Sequence, residues 1–197
     1  MKIIDRIERI KEEYADDYIV RKNGTLLLGP GKIPNCRHMI FTPLEQEYID
    51  EYLIAEYELP FPPEYIKFLR YANGANLLNV KVIASEGFEF AYGLLKIFGL
   101  PRLPTSVRAQ EMEEPYDVRI EDLARHPELS KSWLKCGTYV RDNDLDKDAD
   151  IFIDTKDGKV YSCYRKKNKV IDQWDSLDEC LCDLFDTLSK APREYID

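Results

Sequence analysis

Histidine is scarce in this chain, with two residues, His38 and His126, among 197. Neither lies in a spacing such as HExxH, which sets two imidazoles on one helical face to share a zinc ion. Neither accompanies a serine or cysteine in a nucleophile setting such as GxSxG. Cysteine is also thin and unpatterned: Cys36, Cys136, Cys163, Cys180 and Cys182 make an odd count of five. There is no CxxC, and the closest pair is C-x-C inside a predicted helix, which argues against a disulfide framework and against a zinc knuckle. Long apolar runs are missing too. The opening MKIIDRIERIKEEYADDY alternates charge with isoleucine rather than forming a signal-peptide core, and no later run approaches a membrane span. The expected location is therefore the cytoplasm, with no membrane contact. Gly29-Pro30-Gly31-Lys32 lacks both the spacing of a phosphate loop and the hydroxyl residue after its lysine.

What is present is ordinary globular material with an acidic bias. The 44% hydrophobic and 33% charged fractions are far from the disordered regime. A chain of this length buries roughly 70% of its unfolded surface and needs no staple. Against 37 acidic side chains stand 28 basic ones, a net charge of −9. Such a field repels nucleic-acid phosphates, whose binding depends on Lys and Arg displacing counterions, and it steers a basic protein inward.

Ile3, Ile7, Ile10, Tyr14 and Tyr18 recur at the helical period and predict an amphipathic helix over 2–17. Gly24, Gly29, Pro30, Gly31 and Pro34 then break up a short apolar stretch, predicting a loop or edge hairpin. A seam is expected at residue 41, dividing an N-terminal helix and extension (1–41) from the main domain (42–197). The sequence leaves open whether 1–41 fold onto the main sheet or form a separate arm. Thr42-Pro43-Leu44-Glu45 reads as a capping box opening a helix to about residue 57. Prolines 60, 62 and 63 interrupt it. Helix resumes at Glu64, with Tyr65, Phe68, Leu69 and Ala72 on one face, and Asn73-Gly74 ends it. Strands are expected over 77–83, 93–98, 133–140, 150–154, 160–165 and 170–174. A short helix is expected over 119–126, and a second capping box, Ser176 to Glu179, opens a last helix carrying Leu177, Leu181, Leu184, Phe185 and Leu188. The expected class is α+β: a mainly antiparallel mixed sheet of about five or six strands packed by N- and C-terminal helices.

The stretch from Leu59 to Gly74, LPFPPEYIKFLRYANG, resembles the signature of the SUKH superfamily. Leu94 to Leu100, LLKIFGL, is similar to that family's apolar strand ending in Phe-Gly-Leu. DIFIDTKDGKVY, residues 150–161, resembles its hairpin, and the helix after Ser176 its closing helix. The resemblance spans about residues 42–190, with 101–132 as a variable insert. It departs at Ala75, where many members carry a second glycine. The family includes bacterial toxin-immunity proteins and a fungal regulator of cell-wall assembly, so the resemblance implies a non-enzymatic protein-binding domain, with immunity to a cognate toxin as the leading role. An intracellular regulatory or scaffolding module is the alternative, and an enzyme or ligand-binding protein with a pocket near His126 the third reading. Taken as residues, the same signature is architectural, because apolar side chains at helical spacing are mostly core.

The most conspicuous candidate surface is the run from Arg141 to Asp150, with Asp142, Asp144, Asp146, Asp148 and Asp150 at alternate positions. A calcium loop needs glycine at its sixth position and glutamate at its twelfth. Starting at Asp142 those positions hold Lys147 and Ile153; starting at Asp144, Ala149 and Thr155; starting at Asp146, Ile151 and Asp157. No register fits. The run reads either as a solvated loop joining two strands or as a patch facing Lys and Arg on a partner. Glu111, Glu113 and Glu114 could extend that patch. Neutralising the five aspartates together is expected to leave the fold intact while slowing association. The expected partner is a basic protein toxin, the chain itself a monomer or weak homodimer, with no metal, cofactor or nucleic acid. Arg165 to Lys169 forms a basic island, read as a hairpin tip, and Trp133 and Trp174 as core.

Overall fold

The computed structural model describes residues 1–30, 36–56, 61–83, 89–100, 132–140, 148–164 and 169–190. The elements run α1 (Lys2–Glu13), β1 (Tyr18–Val20), β2 (Leu26–Pro30), β3 (Cys36–Ile40), α2 (Gln46–Glu56), α3 (Pro63–Tyr71), β4 (Ala75–Ile83), β5 (Glu89–Ile97), β6 (Trp133–Val140), β7 (Asp148–Asp154), β8 (Val160–Tyr164), β9 (Val170–Trp174) and α4 (Leu177–Ser189). The class is α+β. Among the described residues nine strands form one sheet in chain order, each antiparallel to the next. The sheet is thus larger than the five or six strands expected, and wholly antiparallel rather than mixed. The additional strands are β1, β2 and β3, all drawn from 1–41.

That segment is no separate arm. Met39 and Ile40 of β3 pair with Asn76 and Ala75 of β4, which carries the N-terminal strands into the main sheet. Helix α1 inserts Ile3, Ile7 and Ile10 into the same core as α3 and α4, and each such side chain stabilises the fold by ~1.5–3 kcal/mol relative to exposure. Asp178, in the first turn of α4, accepts hydrogen bonds from the Lys2 and Ile3 amides at 2.9 and 3.0 Å. Glu64 does the same for α4, accepting from the Leu177 and Asp178 amides at 2.9 and 3.3 Å. Carboxylates at helix N-termini satisfy amides with no partner inside the helix and complement the dipole.

At Ser176 the cap forms as expected, with the Glu179 amide donating to Ser176 Oγ at 3.1 Å, while the Glu179 carboxylate accepts one residue further back, from the Asp175 amide. The helix expected to open at Thr42 begins instead at Gln46. Thr42 Oγ1 donates to the Asn23 carbonyl at 2.6 Å and ties the β1–β2 turn to the chain entering α2.

Helix α3 ends at a corner that joins two distant stretches. Asn73 is fully buried; its Nδ2 donates to the Leu100 carbonyl at 2.8 Å and its Oδ1 accepts from the Leu100 amide at 2.7 Å. Gly74 holds φ +93°, and a Cβ there would stand 2.7 Å from the Ile97 carbonyl oxygen; one on Gly99 would meet Asn73 itself. Both glycines are required by this close approach. Tyr65, also fully buried, closes the corner by donating to the Phe98 carbonyl at 2.8 Å.

Candidate functional site

Strand alternation sends Asp148, Asp150, Phe152 and Asp154 of β7 to one face of the sheet, and Ala149, Ile151 and Ile153 to the core shared with the helices. The first face carries chemistry of its own. Lys135 Nζ lies 3.2 Å from the Asp150 carboxylate and 5.7 Å from the centroid of the Phe98 ring. Beside this pair, Trp133 stacks on Tyr161 with centroids 4.1 Å apart and planes 12° from parallel, and its Nε1 donates to Asp154 at 3.0 Å. Trp133, Phe152 and Cys163 form a second small apolar cluster there.

The candidate acidic run divides at this point. Asp142, Asp144 and Asp146 lie outside the described residues, as do Glu111, Glu113, Glu114, His126, the expected 119–126 helix and residues 165–168 of the basic island. Asp148 opens β7, half-buried and opposite Val140. Asp150 lies in β7, as the strand expected over 150–154 has it, and is 2% exposed and ion-paired with Lys135. Sequence reasoning grouped it with the other aspartates by composition. The strand expected over 150–154 already set Asp150 between apolar neighbours; its partner Lys135, on another strand, was the part that composition did not show.

A second cluster lines an open groove of about 660 Å³ between α1 and the start of α4, bordered by Lys2, Arg6, Trp174, Asp178, Cys182 and Asp183. Arg6 forks onto Asp186 through Nε at 3.0 Å and Nη2 at 2.6 Å, and its Nη1 approaches Cys182 Sγ at 3.1 Å. The hydrogen bond raises the Arg6 guanidinium above its ordinary value and lowers the Asp186 carboxyl. Trp174 Nε1 donates to Asp183 at 3.0 Å. These contacts fasten α1 and β9 to α4; sequence periodicity located the helices but not these polar pairs.

Among the described residues, burial disfavours the charged forms of four cysteines and one histidine. Burial pushes the thiols of Cys136 and Cys163 up to about 12 and raises those of Cys180 and Cys182, whereas a reactive cysteine needs a lowered value. His38 is 3% exposed, and burial, reinforced by Arg37, lowers its imidazole to about 3. Its Nδ1 accepts from the Leu78 amide at 3.3 Å. Among the described residues no group of three or more His, Cys, Asp and Glu is placed to hold a metal, and no helix is long and apolar enough to cross a membrane. Both tryptophans are buried, Trp174 against the main core and Trp133 in the smaller cluster.

Compared with known proteins, the chain matches no family model, no curated protein and no solved structure.

Proposed function

We propose that this chain is a non-enzymatic protein-binding domain of the SUKH type, and that it acts in the cytoplasm as an immunity protein, binding and neutralising a cognate basic toxin such as a nuclease. The observation that carries the reading is the corner at Asn73. Two motifs on which the resemblance rests, Asn73-Gly74 and Phe98-Gly99-Leu100, meet there through paired hydrogen bonds between Asn73 and Leu100. Asn73, Gly74 and Gly99 thereby have a physical reason to be what they are. The net charge of −9 supports a basic partner, since opposite fields raise the encounter rate. Asp142, Asp144 and Asp146, with Glu111, Glu113 and Glu114, supply the contact charge; Asp148 borders them, and Asp150 serves the fold.

The test has two stages. Tagged protein expressed in its native host is expected to capture one stoichiometric partner whose toxicity it suppresses on co-expression. Several envelope or signalling proteins in its place would move the role to regulation. With the partner purified, the Asp142→Asn, Asp144→Asn, Asp146→Asn triple variant is expected to associate about tenfold or more slowly at low salt, with unchanged denaturation midpoint. Association at the unaltered rate would remove the acidic contact surface.

A further inference from the structure

Among the described residues the large apolar side chains standing exposed are Tyr18 at 53%, Ile19 at 43%, Val20 at 59% and Val170 at 42%. The first three are consecutive and make up the whole of β1, an outermost strand of the sheet. Natural edge strands are commonly blunted by lysine, proline or a bulge; this one carries three apolar residues without any of these.

Among the described residues, the backbone of β1 makes its hydrogen bonds on one side only. The Gly29 amide donates to the Asp17 carbonyl and the Arg21 amide to the Thr25 carbonyl, both at 2.9 Å, and Ile19 lies opposite Leu27 between them. Residues 17, 19 and 21 therefore turn their backbone groups to β2. By the alternation of an antiparallel ladder, Tyr18 and Val20 turn theirs to the open edge.

The flanking charges specify what pairs there. The segment reads Asp16-Asp17-Tyr18-Ile19-Val20-Arg21-Lys22, acidic before the strand and basic after it, with all seven residues exposed. If a second copy pairs antiparallel with Ile19 opposite Ile19, Tyr18 faces Val20 of the second copy, and both outward residues exchange their N–H and C=O bonds. The same register sets Asp17 against Arg21 of the second copy and brings Asp16 towards Lys22. Parallel pairing in register would set like charge against like, which is destabilising across strands.

We propose that β1 joins two copies of this chain through a two-fold antiparallel β1–β1 pairing centred on Ile19, which continues the sheet across the dimer. The contact is isologous and closed. It is also small beside the roughly 1,200–2,000 Å² of a stable interface, so the dimer forms in a concentration-dependent and salt-sensitive way.

Sedimentation velocity of the full chain from micromolar to millimolar concentration is expected to show a monomer–dimer equilibrium that weakens as salt is added. Val20→Pro removes an outward N–H and leaves the Ile19 bonds to β2 in place, and it is expected to weaken dimerisation about tenfold or more. Two surface variants give an independent reading. Asp16→Lys with Asp17→Lys makes both flanks basic, and Arg21→Glu with Lys22→Glu makes both acidic. Each alone is expected to be monomeric, and an equimolar mixture is expected to form a heterodimer. A monomer throughout the concentration range overturns the proposal. So does a dimer indifferent to Val20→Pro and to the charge variants, or a species growing past the dimer, as pairing of β1 with β9 of the next copy would give.

Discussion

The Lys135 ammonium and the Asp150 carboxylate stand 3.2 Å apart, with side chains 7% and 3% exposed, on neighbouring strands of one sheet. Removing two charges from water costs several kcal/mol for each, offset only while both partners are present. Asp150→Asn leaves a buried ammonium without its counter-charge and is expected to destabilise the fold by ~3–5 kcal/mol. Lys135→Met combined with Asp150→Leu is expected to cost less than either single substitution, because no uncompensated charge remains. Urea denaturation of the unaltered protein, Lys135→Met, Asp150→Leu and their combination measures the cycle, with Asp150→Asn read beside it. A loss below ~1 kcal/mol for Asp150→Asn would mean that the pair behaves as an exposed one. If Asp150→Asn costs the larger amount, neutralising the whole aspartate run would also cost stability, so an association experiment is cleaner when it spares Asp150.

Asn73 makes a second prediction, about architecture. Its side chain satisfies the N–H and the C=O of Leu100 together inside the protein. Asn73→Ala leaves both backbone groups without that partner, at ~1–3 kcal/mol for each unsatisfied group, so a loss of roughly 2–6 kcal/mol is expected. Gly99→Ala attacks the corner from the other side, since its Cβ would run into Asn73. The two losses are expected to be less than additive, because either substitution opens the same corner. Full additivity in thermal or urea unfolding would show that the residues do not act as one unit.

Legibility in the sequence followed burial. Strands β4 to β9 carry apolar residues at period two or in continuous runs, and their positions were readable to within a few residues. Helices α1, α3 and α4 declared themselves through stripes such as Ile3, Ile7 and Ile10. Strand β1 was hidden because it is three residues long and exposed throughout, so no alternation marks it. Strands β2 and β3 were masked by Gly29 and the prolines around it, which read as loop punctuation. Thr42 misled for a related reason: a hydroxyl beside a proline signals a cap locally, but the Asn23 carbonyl, distant in sequence, took its hydrogen bond. In the candidate site, composition gathered the aspartates, yet Lys135, the residue that decides the role of Asp150, lies in another strand. Pairing across a sheet is tertiary information that no single segment contains.

His38 supplies the pH prediction. Its Nδ1 accepts the Leu78 amide, its ring lies 5.9 Å from that of Tyr14, and Arg37 adds a positive charge beside it. Protonation would turn that acceptor into a second donor facing an N–H, inside a site that already disfavours charge. The folded value is lowered to about 3 from an ordinary 6.5. Between those values the unfolded chain holds a proton that the folded chain refuses, so stability falls as pH drops below 6.5, by at most ~1.4 kcal/mol per pH unit from this group. Asp186 and Glu8, also lowered in the folded state, act in the same direction but only near and below their ordinary values of 3.8 and 4.5. Among the described residues whose values are lowered, His38 is thus the one that acts between about pH 5 and 6.5, and the comparison with a His38 variant separates it from the rest of the chain. His38→Asn keeps an acceptor near the Nδ1 position and does not titrate, so its urea midpoint is expected to stay flatter than the unaltered protein's across that interval. Parallel curves for the two proteins would show that the imidazole takes up its proton in the folded state and that the site is wetter than its burial indicates.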